Sequence, residues 1–93
     1  MLSNAILAND QEQFLKLIKT EDLNAADRYG LTPLIQSVLI NNLEFAELLL
    51  KKGAEVNKRD HNGWSALYWA VDSNNLNFCT YLLQHEADPN IYS

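Results

Sequence analysis

The chain has 93 residues, of which 47% are apolar and 20% charged, and its net charge is −5. These values predict one folded domain, because a disordered chain has fewer apolar residues and two domains need a longer chain. The acidic excess argues against a surface for nucleic acid or for an anionic membrane, since both are bound by clustered Lys and Arg.

The opening residues, 1–9, lack the basic stretch of a signal peptide, and their apolar run is short. No run approaches the roughly 18 apolar residues that a membrane-spanning helix needs. A lone cysteine, Cys79, excludes an internal disulfide and is consistent with a reducing compartment. We therefore expect a soluble protein in the cytoplasm or elsewhere inside the cell, although secretion as an effector is not excluded.

The first predicted unit, residues 3–24, is a degenerate copy of the unit that follows it. Its first helix is expected within residues 3–9. Its second helix is expected where an apolar pattern matches the chain at an offset of 31 residues: Phe14, Leu15, Leu17 and Ile18 against Phe45, Ala46, Leu48 and Leu49. Asn24 then matches Asn57 at an offset of 33, so the loop between, Thr20–Leu23, is shorter by two residues. Terminal repeats are often atypical, because one side faces water.

The second unit opens with a turn and a helix start. Asp27 and Gly30 stand in the spacing of a turn, where a positive φ costs glycine nothing. The sequence predicts Thr32 as an N-cap, because Pro33 follows it at the position that proline favours in a helix.

Two helices are predicted behind that start, over residues 33–40 and 43–52. Asn41 and Asn42 separate them, because asparagine competes with the helix by bonding the local backbone. The second helix has a wide apolar face, and Gly53 follows it as a typical C-terminal glycine.

The third unit repeats the second after 33 residues. Residues 60–90 are identical to residues 27–57 at twelve of 31 positions, whereas chance would give about two. The same reading predicts Ser65 as an N-cap and helices over residues 66–73 and 76–85. Glu86 stands where the second unit has Gly53, which is a less favourable helix end.

The period and the paired helices resemble the ankyrin repeat. The likeness is carried by the following motifs: Asp27-x-x-Gly30-x-Thr32-Pro33-Leu34, Leu43-Glu44, Leu48-Leu49-Leu50, Gly53-Ala54-Glu55-Val56-Asn57, and their counterparts Asp60, Gly63, Leu67, Leu82-Leu83 and Ala87-Asp88-Pro89-Asn90. The resemblance implies an all-α fold, a short solenoid of helix-turn-helix units joined by β-turn or hairpin-like loops. It implies one domain over residues 1–93, with repeats at 3–24, 25–57 and 58–90 and a tail at 91–93.

Some positions depart from the family pattern. Ile35 and Tyr68 replace the histidine that usually bonds between neighbouring loops, and Ala66 replaces the second proline. These changes are expected to weaken the hydrogen bonding between loops without altering the fold. We expect the third unit to end the solenoid without a separate capping copy.

The resemblance also implies a non-catalytic module that binds another protein on its concave side, formed by the turn tips and the first helices. Twelve residues are expected there: Arg28, Tyr29, Leu31, Leu39, Ile40, Lys52, His61, Asn62, Trp64, Asp72, Ser73 and His85. The role within this class, whether scaffold, inhibitor or effector, stays open.

An apolar patch is expected at the centre of this surface. Leu39 and Ile40 lie at a helix end where polar residues are usual, and the patch would join them to Tyr29, Leu31 and Trp64. An apolar centre with a charged rim is typical of protein interfaces. The alternative interpretation is that Leu31 and Trp64 cover the bases of the loops and that Ile40 lies between repeats. For Asp72, Ser73 and His85, the preferred interpretation is that they are solvated loop ends.

A second hypothesis is a structural unit that associates weakly with itself through an uncapped C-terminal edge. Trp69, Tyr81 and Tyr92 would contribute to that edge. Trp69 has Gln36 as its counterpart in the second unit, and the sequence leaves open whether its indole fills the core or lies exposed.

Residues for catalysis, a metal or a cofactor do not form a recognisable pattern. Cys79 takes the place of Ala46 in the sister unit, which favours a small buried side chain over a reactive thiol. His61 and His85 lie in different loops, and with Asp60 and Asp88 they match no metal-site spacing. The three glycines have turn or cap positions, so no phosphate loop is present. Asp27 and Asp60 are interpreted as turn-bonding residues rather than acids.

Overall fold

Three pairs of antiparallel helices follow one another in the computed structural model, which describes residues 2–90. The helices are α1 (Leu2–Leu7), α2 (Gln11–Leu17), α3 (Pro33–Leu39), α4 (Leu43–Lys51), α5 (Ala66–Asp72) and α6 (Leu76–Gln84). No strand occurs between residues 2 and 90. The fold class is the expected all-α solenoid, and the predicted tail, 91–93, lies outside the described residues.

Five helices begin at a side chain that accepts a hydrogen bond from the backbone three residues further on. The N-caps are Asp10, Thr32, Asn42, Ser65 and Asn75. Such caps satisfy backbone donors that the first helical turn leaves unpaired. The predicted caps of α3 and α5 are thus confirmed.

The sharp reversal inside each pair is made by asparagine. Asn9, Asn41 and Asn74 all have φ near +55°, a region that asparagine tolerates better than other non-glycine residues. In the second and third repeats the next residue, Asn42 or Asn75, is the N-cap of the second helix. The two asparagines therefore have separate duties, one bending the chain and one starting a helix.

Consecutive repeats stack through their first helices. α3 lies in backbone contact with α1 on one side and with α5 on the other. Ser37 in α3 and Ala70 in α5, at equivalent positions 33 residues apart, are small and fully buried, which permits helices to approach closely. The second helices stand further apart and meet through large side chains, as in the stacked rings of Phe14 and Phe45. The first-helix side is therefore the inside of the curve.

A hydrophobic core fills each of the two boundaries between repeats. The N-terminal core consists of Leu2, Ala5, Ile6, Phe14, Ile18, Phe45, Leu49 and Ala54. The C-terminal core consists of Leu34, Ile35, Val38, Ala46, Ala66, Leu67, Ala70, Phe78, Leu82 and Ala87. Each core draws on two neighbouring repeats, so no repeat buries its apolar side chains alone.

Asparagine side chains also link the repeats. Asn42 Nδ2 donates to Asn9 Oδ1, and Asn75 Nδ2 donates to Asn41 Oδ1, both at 2.7 Å. At the other end of the helices, Asn24 Oδ1 accepts from the backbone N–H of Glu55. Asn57 Oδ1 accepts in the same way from Asp88. The links that join the first repeat to the second are thus repeated between the second and the third.

Candidate functional site

The two turns that precede α3 and α5 are fixed by an aspartate each. Asp27 Oδ1 accepts hydrogen bonds from the backbone of Tyr29 and Leu31, and the Asp27 carbonyl accepts from Gly30. Asp60 holds the next turn with the same set of bonds. The geometry agrees with the interpretation of both aspartates as turn-bonding residues.

The second carboxylate oxygen of each aspartate is held by the first helix. Gln36 Nε2 donates to Asp27 Oδ2 at 3.2 Å, and Trp69 Nε1 donates to Asp60 Oδ2 at 2.9 Å. Gln36 and Trp69 occupy the same place in successive repeats, and each donates a side-chain N–H group to the aspartate of its turn. The open question on Trp69 is thereby answered: its indole is partly buried against the C-terminal core, and its N–H group fixes the turn.

The turns are also joined to each other. The backbone N–H of His61 donates to the Tyr29 carbonyl at 3.3 Å. The His61 ring lies so close to Gly30 that a Cβ added to this glycine would stand 2.5 Å from His61 Cδ2. A backbone bond therefore links the loops although the histidine usual at positions 35 and 68 is missing.

The turn tips carry exposed polar and aromatic side chains. Tyr29 is 59% exposed, and Arg28 places its Cζ 5.3 Å from the centre of the tyrosine ring. His61 and Asn62 are exposed at the next tip. Because the backbone beneath is fixed by the aspartates, these side chains project from a rigid support.

Two apolar residues of the expected patch lie against the fold instead. Leu31 is partly buried and contacts the C-terminal core. Trp64 is also partly buried, with its ring stacked on Tyr68 at 4.3 Å and Trp69 edge-on at 5.6 Å. The interpretation that both residues cover the loop bases describes their geometry better.

A second group of expected residues lies at the far end of the first helices. Leu39 is 41% exposed, and Asp72 and Ser73 are exposed at the end of α5. Ile40 contacts the N-terminal core and is partly buried. Beside Leu39 an open depression of about 520 Å³ is lined by Val38, Asn41, Ser73, Asn74, Asn75, Leu76 and Asn77. Sequence reasoning missed Leu76, which is 71% exposed as the first residue of α6.

The twelve expected residues therefore form three groups, and the five residues of the expected patch are divided between the first two groups. Residues 33–38 of α3 are all buried and separate the turn tips from Leu39 by roughly 10 Å of helix. The third group is Lys52 and His85, the C-caps of α4 and α6. The continuous patch was predicted because the period assigns positions along the chain but does not tell which side of α3 is covered.

The side chains with catalytic chemistry are spread over the fold. Burial raises the pKa of the Cys79 thiol, which keeps the fraction of reactive thiolate low at neutral pH. Burial, and secondly the charge of Glu47, raises the pKa of Tyr81. His85 bonds the Tyr81 carbonyl through Nδ1, and its ring lies 4.1 Å from the tyrosine ring. Within residues 2–90, no three His, Cys, Asp or Glu side chains converge as metal ligands.

The helices of residues 2–90 have at most nine residues, and none has the length and apolar character to cross a membrane.

Comparison with known proteins agrees with this architecture. A family model described as ankyrin repeats, in three copies, matches residues 2–93. The ankyrin repeat domain of Bcl-3, described as a unique member of the IkappaB protein family, superposes with a TM-score of 0.90 and is 33% identical in sequence. The match covers 99% of this chain and 41% of the Bcl-3 chain, so the present chain spans less than half of that domain. Comparison with curated protein sequences gives no match.

The molecule is thus a helical-repeat solenoid whose turns and first helices form its inner surface. The chain belongs to the ankyrin-repeat family. Ankyrin repeats are in general non-catalytic modules that bind other proteins.

Proposed function

We propose that this chain captures another protein, without chemistry, on the surface made by its turn tips and the far ends of its first helices. The observation that carries the proposal is the rigid support of the Arg28 and Tyr29 side chains. Their turn is held by Asp27, by Gln36 and by the neighbouring turn. A surface that is ordered before binding loses little conformational entropy when a partner arrives.

Arg28 and Tyr29 are the proposed anchors. Arginine and tyrosine are among the residues that contribute most to binding energy in protein interfaces. With Tyr29 59% exposed and the guanidinium near its ring, the pair offers a flat apolar face beside a positive charge. His61 and Asn62 would extend this contact along the next tip.

The depression beside Leu39 is the proposed second contact. Leu39 and Leu76 supply apolar area, and the asparagines around them supply hydrogen-bond donors and acceptors. Asp72 and Ser73 would form its rim, while Lys52 and His85 would lie at the periphery. Ile40, Leu31 and Trp64 would support the surface from beneath.

The partner is proposed to be a protein rather than a nucleic acid. Twelve acidic residues outweigh seven basic ones, and Arg28 stands near one exposed tyrosine rather than in a basic cluster. A phosphate backbone would therefore meet net repulsion.

A paired capture experiment tests the site. The baits are the wild type, an Arg28→Ala/Tyr29→Ala variant and a control, Glu12→Ala/Lys16→Ala, which changes the exposed ion pair on α2. We expect a protein retained by the wild type and the control and lost by the turn variant. These substitutions avoid Ile40 and Trp64, whose contacts with the fold would confuse lost binding with lost structure.

Circular dichroism of the three baits confirms that each is folded. If a partner binds the turn variant as well as the wild type, the proposed anchors are wrong. If it is lost only by the control, the partner binds the second helices.

A further inference from the structure

The turn that precedes α5 contains Asn62 followed directly by Gly63, and no other asparagine of the chain precedes a glycine. Asn62 is exposed, and its side-chain amide has no hydrogen bond within residues 2–90. The second repeat has Tyr29 before Gly30 at the matching positions. Only the turn of the third repeat therefore joins an unrestrained carboxamide to a glycine.

This pair of residues has a reaction of its own in water. Asparagine is a thermally labile residue, and a following glycine has no Cβ to hinder attack on the asparagine side chain. The backbone nitrogen of Gly63, on giving up its proton, bonds to Asn62 Cγ. The bond from Cγ to Nδ2 breaks, and the nitrogen leaves with that proton as ammonia. Water then opens the cyclic imide at either carbonyl, which gives aspartate or isoaspartate at position 62.

The folded turn holds the attacking nitrogen away from this reaction. The Gly63 N–H donates to the Asp60 carbonyl at 3.0 Å. Asp60 Oδ1 accepts from the backbone of Asn62 at 2.9 Å and of Trp64 at 3.0 Å, and Arg59 Nη1 donates to the Gly63 carbonyl at 2.7 Å. While these bonds are made, the Gly63 nitrogen keeps its proton and its direction, so the turn must open before the imide can form.

The opening of the turn is opposed from the first helix of the repeat. Asp60 is 7% exposed, and its Oδ2 accepts from Trp69 Nε1 at 2.9 Å. The Trp69 indole packs against the C-terminal core, so Asp60 is bonded both to the turn and to a side chain fixed in the fold. A buried carboxylate that leaves such a set of donors loses several charge-assisted hydrogen bonds at once.

We propose that Asn62 is a site of spontaneous deamidation, and that the turn held by Asp60 and Trp69 controls its rate. The reaction then takes place only in molecules whose turn has opened locally. Isoaspartate inserts a methylene group into the backbone of the turn, so the bonds to Asp60 cannot all form again. The bond from His61 to Tyr29, which joins the two turns, would be weakened in the same molecules.

Peptide mapping by mass spectrometry, on chains incubated at neutral pH, tests the proposal. Asn62 should be the first asparagine converted, and it should react at least about tenfold faster in guanidinium than in the native protein. Trp69→Phe, which removes the N–H group that holds Asp60, should accelerate the native reaction by about tenfold or more. Ile6→Val is the control, because it removes a buried methyl group from the N-terminal core. It should react like the wild type.

Arg59→Met is a second test of the same turn, because Arg59 is partly exposed and bonds the carbonyls of Gly63 and Asn90. It should accelerate the reaction less than Trp69→Phe does. Circular dichroism checks that the variants are folded.

Four results would overturn the proposal. Another asparagine that reacts before Asn62 in guanidinium would show that the site is wrong. Equal rates in the native and unfolded wild type would show that the turn gives no protection. Folded Trp69→Phe and Arg59→Met reacting like the wild type would exclude their bonds as the control. Ile6→Val accelerating the reaction as much as Trp69→Phe would mean that deamidation follows unfolding of the whole chain rather than opening of the turn.

Discussion

The second and third repeats share one plan, but the burial of matching positions differs because their neighbours differ. Val38 is covered by the next repeat and is 2% exposed, while no repeat within residues 2–90 covers Val71, which is 47% exposed. The side chain is the same, so the difference comes from what stands beside it. In a solenoid, burial is a property of the boundary between repeats rather than of the repeat.

The same two repeats also differ in how their turns are anchored. Gln36 is fully buried, and its Oε1 has no hydrogen-bond partner within residues 2–90. Trp69 reaches the equivalent aspartate with a group that has one polar atom, and that atom is bonded. In the third repeat, the turn aspartate is therefore held without leaving a buried acceptor unpaired. The same repeat exposes more apolar surface than the second.

The largest expected effect is at the two cores. Leu49→Ala and Leu82→Ala each remove a fully buried side chain and should cost about 2–5 kcal/mol of unfolding free energy. Leu83→Ala, one position further along the same helix as Leu82, should cost less than about 1 kcal/mol because Leu83 is half exposed. Urea unfolding of the three variants measures this. Equal losses at Leu82 and Leu83 would contradict the assigned orientation of α6.

The next largest effect on stability is expected at two glycines, Gly30 and Gly53, which both have a positive φ. Gly30→Ala would force a Cβ against the backbone and ring of His61, which should cost about 2–4 kcal/mol. At Gly53 no atom lies within 4 Å of an added Cβ. Gly53→Ala should therefore lower the unfolding free energy only through the strain of its φ of +99°, by about 1–2 kcal/mol. Thermal unfolding of the pair should rank Gly30→Ala as the less stable. The reverse order would mean that the two turns are not in contact.

A third prediction compares the turn anchors. Trp69→Phe removes the N–H group that bonds Asp60, a carboxylate that is 7% exposed, and should cost about 1.5–3 kcal/mol. Gln36→Met removes the donor that bonds Asp27 and, at 2.6 Å, Ser3 Oγ, but it also removes the unpaired Oε1. Asp27 and Ser3 are both accessible enough for water to replace these bonds. The cost of Gln36→Met should stay below about 1 kcal/mol. A larger loss at Gln36, measured by urea unfolding, would show that Asp27 depends on this side chain more than its exposure indicates.

The smallest expected effect is a gain in stability from a substitution at the end of α6. Glu86 has φ of +69° where the second repeat has Gly53, so Glu86→Gly should stabilise the protein by about 0.5–1 kcal/mol. Asn74→Gly is the control, because asparagine already tolerates its φ of +55° and little should change. The thermal midpoint should rise for the first variant alone. No rise would mean that Glu86 gains a compensating contact.

The helices were predictable from sequence because the residues that begin each helix, its N-cap and first turn, are adjacent in the chain. Thr32 and Ser65 cap α3 and α5 as expected, and the predicted span 43–52 became Leu43–Lys51. The N-terminal helix was less well predicted: it covers Leu2–Leu7 rather than residues within 3–9. The expected repeat boundaries remain a prediction, since helix limits do not define where one repeat begins.

The candidate surface was predictable only in part. Exposure at Tyr29, His61 and Asn62 follows from their place in a turn, which local sequence defines. The burial of Ile40 and the exposure of Val71 and Leu83 depend on which repeat lies alongside, and no local pattern carries that information. Trp69 and Tyr81, expected at the edge, are partly buried against the C-terminal core, and Tyr92 lies outside the described residues.

The asparagine links have a consequence for how such a chain changes length in evolution. Each hydrogen-bonded link joins one repeat to the next through the same pair of positions. A duplicated repeat therefore carries both the donors and the acceptors that its neighbours need. Inserting or deleting one whole repeat preserves these hydrogen bonds, whereas an insertion or deletion of a few residues breaks them. Gene duplication in steps of a full repeat is therefore the change of length that preserves these hydrogen bonds.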